Sequence, residues 1–302
     1  MRYGVVGTGA VGGYFGGLLA KAGREVHFLL HSDYDHVRRY GLRVDSVDGD
    51  FTLNNINVYD RTSAMPKCDV VLVAMKTTSN GMLATMLPPL LHERTLVILI
   101  QNGIGVEEDV QKMLPGARLA AGLAYICTTK IGPGHICHQS NGRMSIGDYS
   151  CGDGAFIDSV VADMTAAGLR VNSVGHDEAR WKKAVWNMPF NGMTVVMNAD
   201  CAGLIGCRAT ECLILEMMRE VVGAACACGV KGVDESYAMK MLDMTRHMPS
   251  YSSSMKVDYD NGRPMETLYL YSRPIEIAAA HGFRMPLLGM LAAQLEFMDC
   301  KG

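Results

Sequence analysis

The chain has 302 residues, of which 49% are hydrophobic and 20% charged, and its formal net charge is −3. A chain of this length can form two domains, each large enough to bury a core of its own. The near-neutral charge gives no electrostatic basis for binding nucleic acid or an anionic membrane surface, so we expect neither as a partner.

The first 174 residues alternate short β-branched runs with helical segments, which is typical of a parallel sheet covered by helices. Strands are predicted at 3–6, 25–30, 69–74 and 95–100, and helices at 10–22 and 35–40. The runs 69–74 and 95–100 are fully apolar, as expected of central strands buried on both faces. Residues 44–58 predict an edge hairpin. Weaker strand signals follow at 119–128, 134–139, 142–146 and 169–174, with a helix at 155–167 between them.

From residue 175 to 302 the chain is rich in Met, Ala and Leu, with helical periodicity and hardly any strand signal. Long helices are predicted at 209–228, 234–247 and 286–298. We therefore predict an α/β domain at residues 1–174 and an all-helical domain at 175–302. The 22 methionines of the chain fit a loosely packed core and a homodimer interface equally well.

The cysteine pattern and the start of the chain bear on its location. Ten cysteines include no CxxC pair and no spacing typical of a disulfide framework. No apolar run approaches the roughly 18–20 residues that span a bilayer. The first predicted strand begins at Tyr3, which leaves no room for a targeting segment. We therefore expect a cytoplasmic protein with reduced thiols.

A GxGxxG motif at residues 7–12 follows the first predicted strand and opens the first helix. Gly7 permits a tight turn, Gly9 lets the backbone approach a pyrophosphate, and Gly12 lets the helix pack against the strand. The anion would sit over the N–H groups that begin the helix. The motif alone also fits a chance cluster of glycines, but its place in a βαβ unit favours a dinucleotide site. The predicted cofactor residues in this turn are Gly7, Thr8, Gly9, Ala10, Val11 and Gly12.

The choice between NADP and NAD depends on the end of the second strand. An NAD site commonly has an acidic residue there, on the ribose hydroxyl. Here the strand ends on His31 and Ser32, which can donate hydrogen bonds to a 2′-phosphate, with Arg38 and Arg39 nearby in the sequence. Asp33 could accept from a ribose hydroxyl instead, although it lies two residues past the usual place. NADPH is favoured, and NADH stays an alternative.

Two further strand ends carry polar side chains. Lys76 follows the buried strand 69–74, and Asn102 follows 95–100 in the turn QNGIG, whose glycines permit a close approach to a ligand. Ligands of open α/β sheets bind at the carboxyl ends of strands, so both residues are candidates for the cofactor site. The alternatives are a surface lysine and a plain turn with a helix-capping asparagine.

A polar line on an otherwise apolar helix is the third candidate. Lys183, Asn187 and Asn191 are spaced i, i+4 and i+8 and share one helix face. Buried polar groups need partners, which a polar substrate would supply. The alternative is a solvated stripe. His135, Cys137 and His138 lie in a predicted strand, where alternate side chains face opposite sides, so we expect no metal site.

Together these segments resemble the ketopantoate reductase (2-dehydropantoate 2-reductase) family. The resemblance covers nearly the whole chain: the GxGxxG, VAMK ending on Lys76, QNGIG, WKKAVWNMPFN, SSSM and the late PME at 264–266. It implies an N-terminal Rossmann dinucleotide-binding domain, an all-helical C-terminal domain and an active site in the cleft between them. It also implies reduction of 2-dehydropantoate to (R)-pantoate with NADPH, on the route to coenzyme A.

The resemblance implies roles for single residues as well. Lys183 matches the general acid and Glu266 the carboxylate that orients the lysine or the substrate. Asn102 matches a residue near both nicotinamide and substrate, and Lys76 a lysine near the cofactor. The substrate-binding positions that match are Asn102, Asn187, Asn191 and Ser254.

Two positions depart from the family pattern. His31 stands where the family commonly has arginine, which bears on NADP preference. After Glu266 the chain reads TLYLYS in place of a segment like EIDYLNG, which bears on the substrate. Reduction of a different 2-oxo acid and a catalytically silent NADP(H)-binding sensor are therefore kept as alternative hypotheses.

Overall fold

The computed structural model describes residues 1–248 and 251–300 and divides into two compact units. The first, here called the sheet unit, comprises residues 1–101 and 106–176. The second, the helical unit, comprises residues 102–105 and 177–302. The segment Asn102–Gly105 therefore belongs to the helical unit, although it lies between two parts of the sheet unit in sequence.

The sheet unit, which is described throughout, contains one ten-stranded sheet in the order β4-β3-β9-β8-β7-β6-β1-β2-β5, with β10 paired to β9. The strands are β1 (Arg2–Val6), β2 (Glu25–Leu29), β3 (Leu42–Ser46), β4 (Phe51–Leu53), β5 (Asn57–Tyr59), β6 (Val70–Val73), β7 (Leu96–Leu99), β8 (Arg118–Gly132), β9 (His135–Asp148) and β10 (Arg170–Val174). Its helices are α1 (Ala10–Lys21), α2 (Tyr34–Tyr40), α3 (Leu83–Met86), α4 (Val106–Met113) and α5 (Gly154–Ala166).

The central strand β1 lies where the order of the sheet reverses. It pairs in parallel with β2 on one side and with β6 on the other. The chain thus leaves β1 toward one edge and later returns on its opposite flank. In open α/β sheets such a reversal leaves a crevice at the carboxyl ends of the strands, which is where ligands bind.

The pairing of residues 42–59 differs from the single edge hairpin predicted for 44–58. β3 and β4 do form an antiparallel pair, with β4 at the edge, but β3 also pairs with β9. β5 lies at the opposite edge, parallel to β2. Alternation of apolar residues reports that a strand is half-buried, but it does not specify the neighbour with which the strand pairs.

Three of the four weak strand signals after residue 116 belong to one long antiparallel hairpin, and the fourth, 169–174, corresponds to β10, which pairs in parallel with β9. β8 and β9 run for 15 and 14 residues, and the register shifts at three places, between Tyr125 and Ile126, between Cys127 and Thr128, and between Lys130 and Gly132. Such irregularities break the two-residue alternation on which a strand prediction rests. The sequence therefore shows several short strands where the structure has two long ones.

The helical unit is built from helices α6 (His176–Val196), α7 (Cys201–Gly206), α8 (Arg208–Ala227), α9 (Glu235–Arg246), α10 (Ser254–Asp260), α11 (Arg273–Ala280) and α12 (Pro286–Asp299), with α6 starting at the last residue of the sheet unit. A π-helical turn, Leu268–Ser272, precedes α11. The core contains buried methionines of α6 and α8, including Met188, Met193, Met217 and Met218. None of the helices that the described residues form is long and apolar enough to cross a membrane. All ten cysteines are free thiols.

Helix α1 lies close to the sheet because glycines replace side chains on its inner face. A Cβ atom at Gly16 would lie 2.7 Å from side-chain atoms of both Val5 and Phe28, which are fully buried. Real Cβ atoms do not approach that closely, so the helix would have to move outward. This close packing fixes the start of α1 against β1, where the GxGxxG turn lies.

We predict that Gly16→Ala lowers the free energy of unfolding by about 1–3 kcal/mol, because the added methyl overpacks the contact of α1 with β1 and β2. Urea denaturation would measure the change. Gly154→Ala is the matched control, since it also adds a methyl to a helical glycine of the sheet unit, but into open space. Equal stability of the two variants would show that the contact of α1 with the sheet tolerates a Cβ atom.

Candidate functional site

The GxGxxG turn has the geometry that a bound pyrophosphate requires. Gly7 has φ of 94°, and a Cβ atom there would lie 2.4 Å from the backbone nitrogen of Met75. A Cβ atom at Gly12 would lie 2.3 Å from the carbonyl oxygen of Gly7, whereas one at Gly9 would meet no atom within 4 Å. No side chain caps the described N-terminus of α1. Open space over Gly9 beside uncapped helix N–H groups therefore fits the pyrophosphate of a dinucleotide.

The end of β2 is fastened to this turn. The Thr8 hydroxyl donates a 2.8 Å hydrogen bond to the carbonyl oxygen of Leu29. His31 and Ser32, which lie two and three positions after the last residue of β2, are exposed. The predicted cofactor residues at the ends of β1 and β2 thus lie at the same edge of the sheet.

Asp33 is buried, at 5% exposure, and its carboxylate is held by the β8–β9 hairpin. The Lys130 ammonium lies 2.7 Å from it, the Gly134 N–H donates to it at 2.9 Å, and the Ser32 hydroxyl donates at 3.0 Å. Burial by itself raises the pKa of Asp33, but these hydrogen bonds and the Lys130 charge outweigh it and hold the pKa below its usual value. The carboxylate is therefore ionised and committed to groups of the chain itself.

The ends of β6 and β7 are joined by an amide that sequence reasoning missed. Gln101 follows β7, and its side-chain nitrogen donates to the carbonyl oxygen of Met75 at 2.8 Å and to the side-chain oxygen of Asn80 at 2.6 Å. Lys76, next to Met75, is exposed and immediately precedes the 3₁₀ turn Thr77–Met82. Gln101 stands in the same QNGIG motif as Asn102, so the motif itself was the available signal.

The second part of the candidate site is a small pocket within the helical unit. Its lining comes from α6, from the segment Asn102–Gly105 and from the π-helical turn: Gly103, Ile104, Arg180, Lys183, Ala184, Asn187, Met188, Tyr269 and Leu270. Arg180, Lys183 and Asn187 are spaced i, i+3 and i+7, so they share one face of α6. The structure thus brings Lys183 and Asn187 together, as predicted from their spacing, and adds Arg180.

The pKa of Lys183 is lowered to about 7. The largest cause is the loss of hydration on burial, and the positive charge of Arg180 acts in the same direction. The carboxylate of Glu266 opposes both, because a negative charge favours the protonated amine. Glu266 is itself buried, at 6% exposure. A lysine in this state can hold or give up a proton near neutral pH.

Gly103 makes its close approach to the chain itself. Its φ is 105°, and a Cβ atom would lie 2.4 Å from the carbonyl oxygen of Tyr269. The next residue, Ile104, donates its N–H to that same oxygen at 2.9 Å. The sequence predicts that this glycine permits the close approach of a ligand. In the structure the group that lies close to Gly103 is the backbone of Tyr269. It fastens the segment containing Asn102 to the turn that follows Glu266.

Asn191 lies one turn beyond Asn187 on α6, and its side chain contacts Ser254, the first residue of α10. The Asn191 amide donates to the carbonyl oxygen of Asn187 at 2.8 Å. Its oxygen accepts from the Met255 N–H at 3.3 Å and from the Ser254 hydroxyl at 3.4 Å. Asn191 is only 2% exposed, and the hydrogen bonds of its amide join α6 to the start of α10.

The histidines of β9 have partners in the sheet. His135 lies 2.8 Å from the Asp45 carboxylate, and His138 contacts the Ser46 hydroxyl at 2.8 Å and the Ser140 carbonyl oxygen at 3.0 Å. Within residues 1–248 and 251–300, no three His, Cys, Asp or Glu side chains are grouped so as to hold a metal ion.

Comparison with known proteins relates both parts of the site to one family. Residues 3–150 match the family model of ketopantoate reductase PanE/ApbA, and residues 176–299 match the model of its C-terminal domain. A 2-dehydropantoate 2-reductase from Nostoc sp. is 40% identical over 99% of this chain and 95% of its own length.

Solved structures agree with these matches. A 2-dehydropantoate 2-reductase from Geobacter metallireducens superposes with a TM-score of 0.94 at 33% identity, covering 98% of this chain and 99% of its own. A D-mandelate dehydrogenase solved with NADH and anilino(oxo)acetate, at 17% identity and a TM-score of 0.91, covers 100% and 99% and shows the shared fold alone. The predicted fold class, a Rossmann domain followed by an all-helical domain, is confirmed. The chain belongs to the ketopantoate reductase PanE/ApbA family and is a dinucleotide-dependent oxidoreductase.

Proposed function

We propose that this protein reduces 2-dehydropantoate (ketopantoate) to (R)-pantoate with NADPH, a step of pantothenate and coenzyme A synthesis. The observation that supports the proposal is Lys183, which lines a pocket of the helical unit and whose pKa of about 7, raised by Glu266 against burial, suits a proton donor near neutral pH. Family membership and the 40% identical 2-dehydropantoate 2-reductase support the substrate. We propose residues 1–174 as the cofactor domain and 175–302 as the substrate domain.

The reduced nicotinamide supplies a hydride to the ketone carbon when the cofactor is bound. The carbonyl oxygen gains negative charge as the hydride arrives and needs a proton. Lys183 gives this proton from its ammonium, becomes a neutral amine and is reprotonated from solvent. Glu266 keeps the lysine protonated more of the time, because its negative charge raises the pKa that burial and Arg180 lower.

The other predicted residues divide between binding and positioning. Asn187 lines the pocket beside Lys183 and is proposed to bind substrate, together with Asn102 and Ser254. Asn191, whose amide is engaged by Asn187, Ser254 and Met255, is proposed to position two of these residues.

The state of Asp33 supports NADPH over NADH. Its carboxylate is buried and already accepts hydrogen bonds from Lys130 and Gly134, so it is poorly placed to take a ribose hydroxyl. The exposed side chains at the end of β2 are His31 and Ser32. His31 can donate to a 2′-phosphate directly, and Ser32 can do so by turning its hydroxyl away from Asp33. We propose these two residues, Lys76 and the turn at residues 7–12 as the cofactor site.

We expect NADPH oxidation to accelerate on addition of ketopantoate, with a lower KM for NADPH than for NADH. Absorbance at the nicotinamide band would follow turnover across a panel of 2-oxo acids with both cofactors. A higher kcat/KM for another 2-oxo acid would replace the substrate, and a lower KM for NADH would overturn the cofactor assignment. Cofactor binding without turnover of any member would favour a sensor.

Lys183→Met is expected to lower kcat by about 10²–10⁴-fold, because the proton donor is lost. The Kd for NADPH should stay nearly unchanged, since no cofactor role is proposed for this residue. Lys182→Met is the matched control: Lys182 precedes it on α6 but pairs with Glu178 on the surface. Normal turnover by Lys183→Met would refute the role of general acid.

The pH profile should report the same proton. Because Lys183 must be protonated to act, kcat/KM for reduction is expected to be level below about pH 7 and to fall above it. Glu266→Gln removes the charge that raises this pKa, so the fall should begin at a lower pH. A profile that keeps its break in Glu266→Gln, or breaks at a higher pH, would contradict the proposed coupling of Glu266 to Lys183.

A further inference from the structure

The ion pair of Lys130 and Asp33 joins the β8–β9 hairpin to the end of β2. The Lys130 ammonium lies 2.7 Å from the Oδ1 atom of Asp33, although the two residues are 97 positions apart in the chain. The Gly134 N–H donates to the other carboxylate oxygen, Oδ2, at 2.9 Å. Two residues of the hairpin therefore fix one carboxylate beside the proposed cofactor site.

The two members of this pair differ in exposure. The Lys130 side chain is 38% exposed, whereas the Asp33 side chain is only 7% exposed. The pair thus presents its positive end to solvent and its negative end to the interior. An anion that approaches from solvent meets the ammonium before the carboxylate. Because an ammonium has three N–H donors, it can hold Asp33 and contact a phosphate oxygen at the same time.

Ser32 shows that this ammonium lies close to the proposed site of the 2′-phosphate. Its hydroxyl donates at 3.0 Å to Oδ1 of Asp33, the same oxygen atom that Lys130 contacts. The Lys130 nitrogen and the Ser32 oxygen cannot be further apart than those two distances together. A phosphate bound by Ser32 is therefore near the ammonium as well. When the Ser32 hydroxyl turns to such a ligand, Lys130 and Gly134 still hold the buried carboxylate.

A 2′-phosphate requires a cation that the exposed groups at the end of β2 do not supply. A phosphate monoester carries about 1.5 to 2 negative charges at neutral pH. A serine hydroxyl and a neutral imidazole, the groups that Ser32 and His31 offer, donate hydrogen bonds without a positive charge. Hydrogen bonds from a charged donor to a phosphate are shorter and roughly twice as strong. An ammonium at this place would therefore separate a phosphorylated from an unphosphorylated ribose.

We propose that Lys130 is a specificity-determining residue of the cofactor site, where its ammonium faces the 2′-phosphate of NADPH. This assignment rests on the proposed cofactor site at the end of β2, but not on the identity of the substrate. Asp33 then has two opposite effects: it holds Lys130 in place, and its negative charge weakens the attraction for the phosphate. NADH lacks the 2′-phosphate and gains nothing from Lys130.

The decisive experiment compares the binding of NADPH and NADH, which differ only in the 2′-phosphate. The ratio of Kd for NADH to Kd for NADPH, measured by nicotinamide fluorescence without substrate, is expected to fall by about 10- to 100-fold in Lys130→Gln. The glutamine amide can still donate to Asp33, so this variant loses the charge but keeps a hydrogen-bond donor. Lys130→Arg, which keeps the charge, should show a much smaller fall.

Asp33→Asn tests the same charges from the opposite side. It removes the negative charge beside the phosphate and leaves the ammonium, so the ratio is expected to rise above that of the wild type. This variant carries the comparison by itself if Lys130→Gln fails to fold. Lys112→Gln is the matched control, because Lys112 pairs with Glu108 and Asp109 on the surface of α4 and its loss should leave the ratio unchanged.

A purely structural role for the ion pair predicts different results. If Lys130 served only to hold the hairpin, Lys130→Gln would weaken the binding of NADPH and NADH by the same factor, and that outcome would overturn the proposal. An Asp33→Asn ratio equal to or below the wild-type ratio would do the same. Added salt should lower the wild-type ratio more than the ratio of Lys130→Gln, because salt screens the charge that the variant lacks. Equal salt dependence would count against the proposal.

Failure of the proposed function can be recognised separately. A wild-type protein that binds NADPH but turns over no 2-oxo acid would remove the proposed reaction and leave this comparison intact. Tighter wild-type binding of NADH than of NADPH would overturn the cofactor assignment, and Lys130 would still be tested by the direction in which Lys130→Gln moves the ratio. In either case, a ratio that Lys130→Gln leaves unchanged removes Lys130 from the cofactor site.

Discussion

Desolvation of the Lys183 ammonium is the constraint around which the pocket of the helical unit is organised. Buried apolar residues of α6 that line the same pocket, Ala184 and Met188, help to remove the water that would stabilise the charge. The same packing forms part of the hydrophobic core, so the lowered pKa is a by-product of how the unit is stabilised. A lysine with a pKa near 7 is tolerated here because its neutral form, which costs little to bury, is readily available.

The remaining polar groups of the pocket adjust this balance. Glu266 precedes the π-helical turn. In that turn the carbonyl oxygen of Tyr269 accepts a hydrogen bond from the Ile104 N–H and lies close to Gly103. A side chain at residue 103 would push the segment away, and with it one wall of the pocket. The carboxylate of Glu266 and Tyr269, which holds the wall, are thus only three positions apart in the chain. Single-turn π-helices are found often at functional sites, since the extra residue re-aims neighbouring side chains.

The sequence predicts those features that depend on local pattern. The β1–α1–β2 unit follows from the glycine spacing and apolar runs, and the face shared by Lys183 and Asn187 follows from helical periodicity. Arg180 escapes such reasoning, because the segment RWKK offers three cations and only burial separates them. Arg180 is buried at 3% exposure, whereas Lys182 lies at the surface with Glu178. Asn191 fits the periodic pattern as well, yet its amide is used within the chain.

Pairing between distant strands explains both what the sequence missed in the sheet and the state of Asp33. The β8–β9 hairpin is longer than its broken alternation indicates, and its far end carries Lys130 and Gly134. These two residues reach Asp33 across about a hundred positions of sequence, as the separations of 97 and 101 residues show. From sequence alone Asp33 is a plausible ribose acceptor. Once the hairpin occupies its carboxylate, the donors His31 and Ser32 are the exposed groups at the end of β2, which supports the proposal of NADPH. A non-local strand pair, and not the residue type at the usual position, thereby bears on the choice of cofactor.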